Sequence, residues 1–75
     1  MQPYANTGGE SNVVAYSVSD ASIIVQFRSG KQWFYEYTDA SAGADMVSEM
    51  IRLAQAGSGL NSYIGTRKPA YSRKW

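Results

Sequence analysis

Cysteine and histidine are both absent from this 75-residue chain. Without cysteine, no disulfide can hold a small fold together. Without either residue, the usual zinc ligand sets are excluded, as are thiol and imidazole catalysis. No apolar run of eighteen residues occurs, so no membrane-spanning helix is expected. The first ten residues lack the basic start and apolar core of a signal peptide. Their glycine, proline and asparagine content predicts a flexible arm over 1–10. Lack of cysteine fits a reducing, cytoplasmic location. A domain of this size buries only about 60% of its unfolded surface. Tight packing or a partner subunit must therefore supply stability.

Acid is missing from the C-terminal third. Residues 50–75 hold Arg52, Arg67, Lys68, Arg73 and Lys74 and no carboxylate, a net charge of +5. Residues 1–49 hold two cations against six acids, a net charge of −4. Such segregation points to an anionic partner for the basic end, or to pairing of that end with the acidic half of the same chain.

What is present reads as strands first and helices second. Val13 to Val18 alternates, with Val14, Tyr16 and Val18 on one side. Ser19 to Ser22 is a turn cluster. Ile23–Phe27 and Gln32–Tyr37 are rich in β-branched and aromatic residues and predict a hairpin. Arg28, Ser29 and Gly30 form its loop in this reading, with Gly30 in the left-handed position of a bulge. Phe27 then pairs with Lys31, Val25 with Trp33 and Ile23 with Tyr35. One face holds Ile23, Val25, Phe27, Trp33, Tyr35 and Tyr37 as core. The other holds Ile24, Gln26, Gln32, Phe34 and Glu36. A two-residue turn would set Phe27 beside Gln32 and break that segregation.

Thr38 to Ser41 offers helix caps. Met46, Val47, Met50, Leu53 and Ala54 then recur at helical spacing. Gly57 is placed to end this helix. Ser58 is placed to cap a short helix over Gly59 to Ile64, ended by Gly65. Pro69 argues against helix in the tail. Strands followed by helices predict an α+β domain: a three-stranded antiparallel meander with one long and one short helix on one face.

These residues resemble the KTSC domain, a small module found alone in bacteria and at the C-terminus of some lysyl-tRNA synthetases. The resemblance rests on Tyr16, on Ile23-x-Val25-x-Phe27 and on Ser29-Gly30-Lys31. It continues with an aromatic pair after the turn, Tyr35-Glu36-Tyr37 or Trp33-Phe34-Tyr35. It ends with Gly59-Leu60-Asn61-Ser62-Tyr63-Ile64 and Tyr71. It covers Ser11 to Tyr71, a single domain over 11–71 with a basic tail over 72–75. The family's proline-containing turn after the third strand is replaced here by Thr38 to Gly43. The resemblance implies a module without an established activity and, through its synthetase context, an RNA partner.

No catalytic constellation stands out. Asp45 and Glu49 are spaced to share a helix face, as solvated acids commonly are. The glycines around Ser58 lack the lysine and hydroxyl of a phosphate loop. Asn61 is expected to bond backbone near the helix–helix turn. No metal or cofactor is implied. Two surfaces remain. Basic and aromatic residues alternate through Arg67, Lys68, Tyr71, Arg73, Lys74 and Trp75, a pattern suited to single-stranded nucleic acid. The sheet face holding Ile24, Gln26, Gln32 and Phe34, beside Arg28 and Lys31, is left without a helix. Its aromatic residue among cations suits RNA, and its apolar residues suit a protein partner or a second copy of the chain. The expected function is a non-catalytic binding module for one of these partners, with no membrane role.

Overall fold

Five antiparallel strands, rather than three, make the sheet in the computed structural model, which describes residues 1–7, 12–28 and 33–75. They are β1 (Gln2–Pro3), β2 (Val13–Ser19), β3 (Ser22–Phe27), β4 (Phe34–Thr38) and β5 (Arg73–Lys74), neighbouring in chain order. The helices are α1 (Asp39–Ala42), α2 (Ala44–Ala56) and α3 (Leu60–Arg67). The α+β class and the central meander agree with the sequence expectation. The two added strands come from the chain ends, each only two residues long. Such pieces gain order from the neighbour they pair with, not from their own propensity. They suit sheet edges, where Pro3 and the charged Arg73–Lys74 pair discourage further strand addition.

Within the arm expected over 1–10, residues 1–7 are tied to the rest of the fold. Gln2 pairs with Tyr16 and Pro3 with Ala15. The next residue, Tyr4, donates its backbone N–H to Val14 (3.0 Å) and buries its ring in the core. Thr7 then donates both its backbone N–H (2.9 Å) and its hydroxyl (3.2 Å) to the carbonyl of Gly57.

The β2 alternation is broken by a bulge between Val13 and Ala15. Val13 opposes Phe27 and Tyr16 opposes Val25, so two residues three apart face the core together. Of the residues that the alternation set on one side, only Tyr16 is buried; Val14 is half-buried and Val18, at the strand end, is exposed.

The β3–β4 register is shifted by two residues from the expected one. Val25 opposes Tyr35 and Ile23 opposes Tyr37. A shift of two keeps every side chain on its face, because the side-chain period is two. The inward set is therefore nearly as predicted, but Trp33 moves to the end of the ladder. There it is 52% exposed, so its assignment to the core was wrong. Backbone bonding continues beyond β3, with Phe27 N–H donating to Trp33 at 2.7 Å. The expected conformation of Gly30 and the pairing of Lys31 lie outside the described residues.

Thr38 caps α1 as its sequence suggests. Its hydroxyl accepts from the Ser41 backbone (3.0 Å), and the Ser41 hydroxyl accepts from the Thr38 backbone (3.0 Å). Val47, Met50 and Ala54 bury one side of α2. Gly57 ends it at φ +75°, donating to Ala54, while the Ser58 N–H reaches Leu53. That pair of bonds satisfies two otherwise orphaned carbonyls and needs a left-handed residue at Gly57.

Ser58 does not cap α3. Gly59 precedes it with no side-chain cap, and the Tyr4 hydroxyl accepts from Leu60 N–H at 3.2 Å instead. The backbone bond expected of the Asn61 side chain is not made among the described residues. The helix also runs through Gly65 to Arg67 and stops at left-handed Lys68, before Pro69. The core joins Tyr4, Val13, Tyr16, Ile23, Val25 and Tyr37 to Val47, Met50, Ala54 and Leu60. The helical residues of this core all meet one sheet face.

Candidate nucleic-acid interface

The basic tail is drawn onto the sheet by backbone bonding. Trp75 and Phe34 exchange hydrogen bonds at 2.9 Å in both directions, and Trp75 C=O also accepts from Trp33 N–H at 3.0 Å. Pairing of Tyr35 with Lys74 and Glu36 with Arg73 follows. Strand alternation then splits the tail between the two faces of the sheet.

Arg73 and Trp75 stand on the face away from the core. There the Trp75 ring stacks on Phe34, with centroids 5.5 Å apart and planes 17° apart. The Arg73 guanidinium lies 4.6 Å from the Trp75 ring centre. Its Nε donates to Glu36 at 2.9 Å. Ile24, opposite Glu36, and Gln26, opposite Phe34, complete this surface on β3. All four are only partly exposed. Among the described residues the C-terminal segment, through Arg73 and Trp75, packs on this face.

Lys74 stands on the core side of the same edge. Its Nζ lies 5.1 Å from the Tyr71 ring centre and 5.9 Å from that of Tyr35. Tyr71 packs edge-on against Tyr35 at 5.2 Å, and Phe27 packs on Tyr35 at 5.3 Å. Hydrogen bonding to Tyr71, then the charge of Tyr71 and Tyr35, holds the Lys74 ammonium above the ordinary lysine value. It is a fixed cation at neutral pH. Burial, reinforced by Tyr35 and Tyr71, pushes the Tyr37 phenol up to about 12.

Arg67 lies at the end of α3 over the Tyr63 ring, 6.0 Å from its centre. It also lines a shallow groove of about 340 Å3 between α2 and α3, with Glu49, Leu53 and Tyr63. Lys68 follows it, exposed. Among the described residues Arg67, Lys68 and Lys74 carry no ion pair, whereas Arg73 pairs with Glu36 and Arg52 with Glu49. The Glu49 carboxylate is held below the usual range by its hydrogen bond from Arg52. Glu49 thus serves as a surface counter-ion to Arg52.

Arg28 is exposed at the end of β3, its N–H donating to Asn12 at 2.7 Å. Lys31 and Gln32, expected on the open face, lie outside the described residues. The structure thus brings together Phe34, Arg73 and Trp75 on one face and Tyr71 and Lys74 on the other. Sequence reasoning set Glu36 on this face but did not name Arg73 as its partner, and it missed Trp33 as a member of this edge. That pairing carried a signal, since the C-terminal end holds cations and no carboxylate and Glu36 is an acid on a strand. Trp33 carried none, since its exposure depends on the length of the preceding loop.

Among the described residues no helix is long and apolar enough to cross a membrane. No group of three metal-ligating side chains comes together among them either. No family model, curated protein or solved structure matches this chain.

Proposed function

We propose that this domain is a non-catalytic module that binds single-stranded nucleic acid, RNA foremost, through charge and stacking. The observation that carries this reading is the composition of the ordered edge. Among the described residues Arg67, Lys68 and Lys74 carry no ion pair; Lys74 lies 5.1 Å from the exposed Tyr71 ring, and the exposed Trp75 ring stands on the other face of the same edge. Phosphates need such cations, and bases stack on such rings without regard to sequence. The resemblance to the KTSC domain supports RNA through that family's synthetase context.

Anisotropy of a short labelled oligouridylate, titrated with protein at rising salt, tests the reading. Affinity should fall linearly on a log–log scale. Neutralising Arg67, Lys68 or Lys74 should flatten the slope by about 0.7 each. Absence of binding at low salt would overturn it. A second reading, self-association or a protein partner, is favoured by the helix-free face of Ile24, Gln26 and Phe34. Sedimentation of wild type against Phe34→Ser distinguishes it, since apolar association resists salt.

A further inference from the structure

We propose that Glu36 closes the nucleic-acid site on itself by holding Arg73 away from phosphate and over the Trp75 ring. This inference rests on the reading above and assigns the means by which that site is restrained. Glu36 and Arg73 are cross-strand partners on the helix-free face. The carboxylate is the anchored half, its side chain only 19% exposed, and the guanidinium is the accessible half, at 65%. A single carboxylate therefore engages the cation that a phosphate needs. The same contact keeps the guanidinium 4.6 Å from the centre of the ring on which a base would stack.

The opposite neighbour of Glu36 on β3 is Ile24, so among the described residues its cross-strand partner on that side is no cation. A phosphate that takes Arg73 must displace Glu36 and leave its charge unpaired at the surface. An exposed pair of this kind is weak enough for such an exchange, yet strong enough to tax it. Removing the carboxylate should free both the cation and the ring.

The experiment compares wild type, Glu36→Gln, Arg73→Gln and the double variant, each titrated against a short oligouridylate over a range of salt. Circular dichroism checks that each is folded, and Glu36→Thr, well suited to a strand, replaces the Gln variant should that one be disturbed. Glu36→Gln should bind about two- to fivefold tighter at low salt. Its salt slope should steepen by about 0.7, one added phosphate contact. The gain should vanish in the Arg73→Gln background. An equal gain in that background would make Glu36 a general repulsive charge and overturn the proposal. So would binding by wild type that Glu36→Gln leaves unchanged. Failure of both proteins to bind would overturn the nucleic-acid reading and this inference with it.

Discussion

Tyr4 gives the sharpest test of how the chain end is held. Its ring is buried in the core, and its hydroxyl is the side-chain acceptor for Leu60 N–H, the first residue of α3. That N–H is one of the donors a helix start leaves without an internal partner. Gly59 has no side chain to serve it. Tyr4→Phe keeps the ring and removes the acceptor, leaving a buried donor unsatisfied at a cost of about 1–3 kcal/mol. Tyr4→Ala removes the ring as well and should cost about 3–5 kcal/mol, the range for a large core aromatic. Urea unfolding of the three proteins measures both steps. For a domain this small, each 1 kcal/mol lost should also lower the melting midpoint by about 4–8 °C. Leu60 N–H should exchange faster in Tyr4→Phe than in wild type. If Tyr4→Ala cost less than about 0.5 kcal/mol, residues 1–7 would be a loose arm after all, and the packing argument would fail.

Three further outcomes follow from the same core. Trp33→Ala should cost less than about 1 kcal/mol in urea unfolding, because the ring is half exposed, whereas Tyr37→Ala should cost about 3–5 kcal/mol. Equal costs would restore the register expected from the sequence. Gly57→Ala should destabilise by more than about 1 kcal/mol, since φ is +75° and a Cβ there would come within 2.5 Å of the Ala5 Cβ. The buried phenol of Tyr37 ionises at about 12 against an ordinary 10.0. Its folded value lies above its unfolded one, so its contribution is intact below pH 10 and lost as pH rises towards 12. Urea midpoints of wild type should fall through that window, and those of Tyr37→Phe should fall less.

The sequence was sufficient wherever local chemistry sets the answer. Strand propensity and alternation defined the β3 and β4 faces. Thr38 with Ser41, and Gly57, marked helix ends because caps depend on a few neighbouring bonds. Helical spacing picked Val47, Met50 and Ala54. Charge segregation marked the C-terminal end as a candidate surface. Tertiary structure decided the rest. Two-residue strands at Gln2–Pro3 and Arg73–Lys74 have no local signal, since pairing with β2 and β4 is what orders them. The bulge in β2 moved Val13 inward, and the longer β3–β4 connection sent Trp33 outward. Both depend on which residue of the opposite strand each one meets. The C-terminal residues looked like one basic–aromatic stripe in sequence. Pairing with β4 divided them, because successive side chains on a strand point to opposite faces. Arg73 and Trp75 went to Glu36 and Phe34, and Lys74 went to Tyr35 and Tyr71.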